Sequence, residues 1–298
     1  MKNIIKIIII ILVIFLITSL FKNSKNNNIN KIIIEDYEPK YYINDLYKSN
    51  EINYRLLLDD NEKQLYEMMI EKFINFESGF IVDLSNFNYD YDALYLREVS
   101  KIIDAILMDH PELIHVGVIT TTKQKGSKKA TVNPSYVMTK ETYTNNIEKV
   151  KKIIEKVKVE TVNLDEYNKV KYVYDYIGRN NNYGNTSDSM AQSAYSAFDG
   201  QLSPVCAGYA KASQILFNNI KVNSLLITGD SKYALFLGIA HSWNVVEIES
   251  DFYLYDVTMS SGGKTDREFY KGFLIDDNQH SPSYKETYPY INGMKYKN

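Results

Sequence analysis

The chain has 298 residues, and its 34 basic and 37 acidic side chains leave a formal net charge of -3. This balance provides no overall positive field to attract a phosphate backbone, so composition argues against a nucleic-acid partner. The hydrophobic fraction of 45% is that of a globular protein. The single cysteine excludes a disulfide-stapled scaffold, and its thiol must serve packing, metal binding or reactivity.

Residues 1–21 predict a membrane anchor. Two lysines precede an unbroken apolar run from Ile7 to Ile17, and the stretch from Ile4 to Phe21 reaches about the minimum length that crosses the hydrocarbon layer. The segment lacks the small-residue pattern of a cleavage site, which favours an uncleaved signal anchor over a cleaved signal. Residues 22–35 form a polar tether. We expect a single-pass protein of the cell membrane with its remaining chain outside the cell.

Residues 36–160 predict a helix-rich N-terminal region. Apolar side chains recur at helical spacing in several stretches of the chain. These stripes are centred on Met69, Ile103, Val150 and, beyond this region, Tyr174. The second helix should end at His110, because Pro111 restricts the residue before it. A lysine-rich stretch around Gly126 predicts a hairpin with a solvated tip rather than a binding patch.

Beyond Cys206 the pattern changes to short apolar runs separated by Gly, Ser and Asp. These runs are SLLIT, KYALFL, HSWNVVEIE and FYLYDVT. Their length and composition are typical of strands. Helices followed by antiparallel strands indicate an α+β fold.

The only cysteine lies at the predicted start of a helix. Ser203 suits the N-cap and Pro204 the first helical position, so Cys206 would fall in the first turn. The positive end of a helix dipole favours thiolate over thiol. Gly208 would leave space beside the sulfur for a substrate or a neighbouring strand. Without a partner residue, a buried structural cysteine would be the simpler interpretation.

His241 and Asp256 are the predicted partners of this cysteine. His241 begins a strand, and a two-residue turn at 249–250 would return FYLYDVT alongside it. In that register Asp256 lies opposite Trp243, which makes it the diagonal neighbour of His241 on one face of the sheet. A three-residue loop would lose the shared face. A thiolate, a histidine and an orienting carboxylate together form a nucleophile, base and orienter set.

At these residues the chain resembles the transglutaminase-like superfamily, whose members share a papain-like arrangement of Cys, His and Asp. The resembling segments are VCAGYAKA, HSWNVVEI and YLYDVT, with further similarity at YDYIGRNNNY, AYSAF and DHPEL. The resemblance implies a catalytic domain over residues 161–298, with a papain-like core in which a cysteine-bearing helix packs on an antiparallel sheet. It implies Cys206 as nucleophile, His241 as base and acid, and Asp256 as orienter. The implied reaction is acyl transfer on peptide or protein amides through a thioester, completed by an amine or by water.

Three residues on the approach to the cysteine bear on this mechanism. Gln201 and Tyr183 are candidates for polar contacts to the oxyanion, with satisfied loop residues as the alternative. Pro204 stands where the family usually has glycine, so this position cannot donate a backbone N–H to an oxyanion.

Two other interpretations stay open. A binding or scaffolding module could keep the fold without turnover, and the proline is its best support. A metal site could use His110, His115, Cys206 or His241. However, the first two histidines lack the H-E-x-x-H spacing and no second cysteine supplies a zinc pair, so we predict neither metal nor cofactor. An exported domain would make cell-wall peptides or surface proteins the natural substrates.

Overall fold

The computed structural model describes residues 52–231, 240–275, 280–283 and 291–297. The predicted anchor and tether, and the predicted strand KYALFL at 232–237, lie outside these ranges. Among the helices in the described ranges, none combines the length and the apolar character needed to cross a membrane.

The described residues form helices and antiparallel sheets, which confirms the α+β prediction. The helices are α1 (Asp60–Ile74), α2 (Asp92–Asp109), α3 (Lys140–Thr161), α4 (Glu166–Asn180), α5 (Cys206–Ile220) and the short α6 (Asp266–Phe269). The strands are β1 (Phe80–Asp83), β2 (Val116–Lys123), β3 (Lys129–Tyr136), β4 (Ser224–Ser231), β5 (His241–Ile248), β6 (Asp251–Tyr255), β7 (Phe273–Ile275) and β8 (His280–Pro282). The four predicted stripes fall on α1 to α4.

Side-chain caps explain where three of these helices begin. The Asp59 carboxylate accepts from the Glu62 amide (2.9 Å) and the Glu62 carboxylate accepts from the Asp59 amide (2.7 Å), so α1 starts in a capping box. Thr139 caps α3 and Asp165 caps α4. In each case the side chain of the N-cap residue accepts a hydrogen bond from the backbone amide three residues further on. Helix α2 ends at His110, as predicted from the proline that follows it.

The strands form two antiparallel sheets. One has three strands in the order β1-β3-β2, and the other has five in the order β7-β6-β5-β4-β8. Gly126 lies in the turn between β2 and β3, as predicted. In the β5–β6 hairpin Asn244 faces Tyr255, which is the predicted register. Its two turn residues, Glu249 and Ser250, both have positive φ (53° and 69°), as a twisted two-residue hairpin requires.

Two hydrophobic cores share the five-stranded sheet. Val246 and Ile248 belong to the core that contains α3, α4 and α5. Trp243 and Val245 belong to the core that contains α1, α2 and the three-stranded sheet. Side chains alternate across a strand, so β5 is buried on both of its faces. The elements of the predicted N-terminal region therefore pack against the same sheet that carries His241.

The cysteine-bearing helix α5 is fixed to this sheet by a buried polar network. The Asn244 amide donates to the Gln214 side chain (3.0 Å), and the Gln214 amide donates to the carbonyl of Ser224 (2.9 Å). All three residues are buried, so if the network were broken no water would replace the lost hydrogen-bond partner of each group. The network ties α5 to β4 and β5, and thereby the cysteine to the histidine.

Candidate active site

Cys206 is the first residue of α5, and Val205 is its N-cap. The predicted N-cap, Ser203, was wrong by two residues. The Val205 amide donates to the carbonyl of Ala191 (2.9 Å), and the carbonyl of Pro204 accepts from the Gly184 amide (2.8 Å). These loop contacts hold both residues outside the helix. The sulfur still lies in the first turn, where the amides have no partner within the helix.

Gly208 packs against loop backbone rather than leaving room for a substrate. A β-carbon at this position would lie 2.5 Å from the Ala191 carbonyl oxygen and 2.8 Å from the Ser196 hydroxyl. Ala191 belongs to the 3-10 turn Ser189–Gln192, and Ser196 belongs to the next 3-10 turn, Ala194–Ala197. The space that the sequence assigned to a substrate or a strand is thus filled by these turns, and only glycine allows so close an approach.

His241 and Asp256 meet as the hairpin register predicts. The Nε2 atom of His241 lies 2.7 Å from Oδ2 of Asp256, and both side chains are buried. Asp256 follows β6 directly and caps a 3-10 turn, where its Oδ1 accepts from the Thr258 amide (3.1 Å). These contacts fix the carboxylate, and the carboxylate in turn fixes the orientation of the imidazole.

Cys206 lies close enough to the imidazole of His241 for its charge to raise the pKa of that ring. Nε2 is bonded to Asp256, so Nδ1 is the ring nitrogen left for the sulfur. Burial alone would lower the pKa of His241, but the hydrogen bond to Asp256 and the nearby charges of Asp256 and Cys206 raise it to about 10. Burial would raise the pKa of Asp256, but hydrogen bonds from His241 and His280 hold it well below its usual range. His241 is therefore a cation at neutral pH between an anionic carboxylate and the sulfur.

His280 is a fourth side chain of this cluster that the sequence did not indicate. Its Nε2 donates to Oδ2 of Asp256 (3.1 Å), the same oxygen that accepts from His241. Its ring lies 4.8 Å from the Trp243 ring and is fully buried. Strand β8 reaches this place by pairing with β4, far from it in sequence. No periodicity or local motif marks such a contact, and only the scarcity of histidine could have drawn attention to it.

Of the two predicted oxyanion contacts, Tyr183 lies against the cysteine. Partial burial of this phenol, which keeps 42% of its surface exposed, together with the charge of Cys206 raises the pKa of Tyr183 to about 12. The phenol thus stays protonated and can donate a hydrogen bond. Gln201 is exposed, and within the described residues no hydrogen bond joins it to the cysteine or its partners. Both residues line an open cavity of about 770 Å³.

The histidines considered for a metal site do not come together. His110 hydrogen-bonds Glu112 (2.8 Å) and His115 hydrogen-bonds the Phe73 carbonyl (2.9 Å), both in the core beneath α1 and α2. One set of described side chains does have metal-ligand spacing: His241, Asp256 and His280 each offer a ligand atom, all within 4.8 Å of one another. Nitrogen and carboxylate donors suit zinc, but a metal needs neutral imidazoles, which the raised pKa of His241 opposes.

Comparisons with known proteins found structural neighbours only. No family model matches the chain, and no curated protein matches it. A transglutaminase (TGase) crystal structure is similar over 50% of this chain and 46% of its own, with 15% identity and a TM-score of 0.34. A candidate cysteine protease from Cytophaga hutchinsonii is similar over 48% of this chain and 62% of its own, with 14% identity and a TM-score of 0.32. The chain thus spans about half the length of one neighbour and under two thirds of the other.

Proposed function

We propose that this protein catalyses cysteine-dependent acyl transfer on peptide or protein amides through a thioester intermediate. One observation carries the proposal: a buried imidazole is hydrogen-bonded to a buried carboxylate and lies close to the only cysteine of the chain, whose charge raises the pKa of that imidazole. A structural cysteine needs neither partner. A nucleophile needs both, because its proton must be taken up and the charged imidazole must be held in place.

The first half of the reaction forms the thioester. With His241 protonated, the anionic sulfur of Cys206 attacks the amide carbonyl carbon, and the electron pair of the C=O bond moves to oxygen. The hydroxyl of Tyr183 and the first-turn amides of α5 are the donors beside this oxyanion. The oxyanion then re-forms the carbonyl, the C–N bond breaks, and His241 donates its proton to the departing amine.

The second half releases the acyl group. Neutral His241 removes a proton from an amine or a water molecule as that group attacks the thioester carbonyl. The C–S bond then breaks, and the sulfur leaves as a thiolate beside the newly protonated imidazole. An amine gives a new amide and hence a cross-link, and water gives a carboxylic acid. The open cavity of about 770 Å³ beside Tyr183 is large enough to admit an extended peptide.

The cellular setting is also a proposal. The apolar segment at residues 1–21 would anchor the chain in the cell membrane, and the tether at 22–35 would hold the catalytic part outside and close to the bilayer. Peptides of the cell wall and surface proteins would be the amides within reach. A non-catalytic surface module with the same fold is the alternative function, favoured by Pro204 in place of glycine.

Acyl capture in the full-length protein tests this function. Full-length protein and a Cys206→Ala variant are incubated with a peptide mixture, with and without a simple alkylamine, and examined by mass spectrometry. We expect an acyl adduct on Cys206 and, with the amine, peptides that gain its mass. Both signals should vanish in the variant. A wild-type protein that binds peptides but never carries an acyl adduct would support the non-catalytic module instead.

A further inference from the structure

A second cavity, of about 180 Å³, lies beside the first turn of α5 and the first residues of β5. Ala207 and Ser242, which directly follow Cys206 and His241, both line it. It shares no lining residue with the larger cavity beside Tyr183. The charge of Cys206 acts on Lys211, which lines this second cavity, so the cavity lies within electrostatic range of the sulfur.

Helix α2 supplies one wall of this second cavity. Asp104, Leu107 and Met108 line it from that side, opposite residues of α5 and β4. The Thr228 hydroxyl lies 3.9 Å from the sulfur of Met108, which joins two of these walls. The cavity is thus formed jointly by the predicted N-terminal region and the cysteine-bearing helix.

Lys211 is the one basic residue among those that line the cavity. Within the described ranges no hydrogen bond or ion pair joins its ammonium group to another residue, Asp104 included. Burial lowers the pKa of Lys211 to about 8, with the nearby charge of Cys206 acting in the opposite direction. The side chain is therefore mostly charged at neutral pH. A partly buried cation without a partner is costly, and an anion is the group that would compensate it.

We propose that this cavity binds a carboxylate of the amide substrate, held by Lys211 a few atoms from the bond that Cys206 attacks. The inference rests on the proposed function, because it names a group on the substrate of that same site. The volume of the cavity equals that of about six water molecules, which is enough for a carboxylate on a two- or three-carbon stem. Asp104 also lines the cavity and repels anions, and this repulsion is smaller for a singly charged carboxylate than for a phosphate dianion.

Paired alkylating reagents test the subsite without a known substrate. Both iodoacetate and iodoacetamide alkylate the sulfur of Cys206 through a CH2 carbon. Iodoacetate carries a carboxylate where iodoacetamide carries a neutral carboxamide. The rate ratio of iodoacetate to iodoacetamide is measured for the full-length wild type, Lys211→Met and Lys211→Arg. We expect the ratio to fall roughly tenfold in Lys211→Met, the effect of removing one nearby charge at an intermediate dielectric constant, and to be retained in Lys211→Arg. Lys125→Met, at an exposed hairpin tip, is the matched control and should leave the ratio unchanged.

The alkylation rates with iodoacetate and iodoacetamide test the carboxylate subsite independently of the proposed acyl-transfer function. A ratio that is equal in the wild type and Lys211→Met overturns the subsite, whatever the acyl-capture experiment shows. A changed ratio in a protein that never forms an acyl adduct supports the anion site and contradicts the catalytic function. If Lys211→Met lowers both rates equally, the lysine acts on the sulfur itself rather than on the reagent, and the subsite is again overturned.

Discussion

Replacing Asp256 by asparagine should lower the proton affinity of His241 while leaving the fold intact. The carboxylate accepts from His241 at 2.7 Å and from His280 at 3.1 Å. Asparagine has nearly the same shape but no charge, and its amide group presents a donor where the imidazole also donates. The substitution therefore removes the attraction that keeps His241 protonated, together with the contact that fixes its tautomer.

The magnitude follows from the pKa of His241. This pKa is raised from 6.5 to about 10, a difference of about 5 kcal/mol between the two protonation states. A neighbouring opposite charge accounts for about one to three pKa units of such shifts. We therefore expect Asp256→Asn to lower the pKa of His241 by about two units, with burial then opposing the charged form more effectively. Turnover should fall by roughly 10²- to 10⁴-fold, the usual contribution of general acid–base catalysis, whereas Cys206→Ala should abolish it.

Histidine side-chain NMR measures this directly. The chain has only four histidines, so labelled imidazole signals can be assigned by single substitutions. The signal of His241 is titrated in the wild type, in Asp256→Asn and in Asp83→Asn, whose carboxylate is exposed on β1. The control should titrate like the wild type. A wild-type midpoint near the ordinary histidine value, or one that does not move in Asp256→Asn, would refute the ion-paired arrangement.

Further predictions concern the neighbours of this pair. The pKa of His241 in the folded state lies above its unfolded value, so protonated His241 stabilises the fold fully below about pH 6.5, and this stabilisation is lost as pH rises through about 10. Over that pH window the melting temperature of the wild type should therefore fall more than that of His241→Gln. Tyr183→Phe should lower kcat by roughly 10- to 10³-fold with little change in KM if the phenol stabilises the oxyanion; equal kcat values would exclude that role. His280→Gln should shift the alkaline limb of the kcat profile to higher pH, because Oδ2 of Asp256 would no longer be shared with a second imidazole; a purely structural role would not produce such a shift. Gly208→Ala should destabilise the protein by about 1–3 kcal/mol in urea unfolding, because its β-carbon meets loop backbone at 2.5 Å. Protease treatment of intact cells should release the catalytic part and leave residues 1–21 in the membrane; full protection until lysis would reverse that topology.

The parts of the site that lie close together in sequence were predictable. The hairpin turn at 249–250 and the alternation of side chains set the register, and the register alone brings Asp256 to His241. The helical stripes were predictable for the same reason, since periodicity is a local property. The N-cap of α5 was not, because contacts from Ala191 and Gly184, and not local propensity, decide where that helix begins.

The parts that depend on long-range packing could not be read from sequence. A lysine five residues after the cysteine is typical of a solvated helix face, and nothing local shows that α2 covers Lys211 and makes its environment a cavity. His280 enters the site through the pairing of β8 with β4, which no pattern near it encodes. Sequence motifs therefore indicate neither Lys211 nor His280 as part of the site.

The shared sheet has a consequence for how the chain can be divided. Trp243, Val245 and Leu254 lie in the sheet that carries the histidine, yet they are buried in the core that α1 and α2 complete. A fragment beginning at residue 161 would expose that face, and exposed apolar sheet faces of this kind promote aggregation. It would also lose the α2 wall of the cavity beside Lys211. The chemistry of Cys206 and the packing of the preceding region are thus coupled through one sheet.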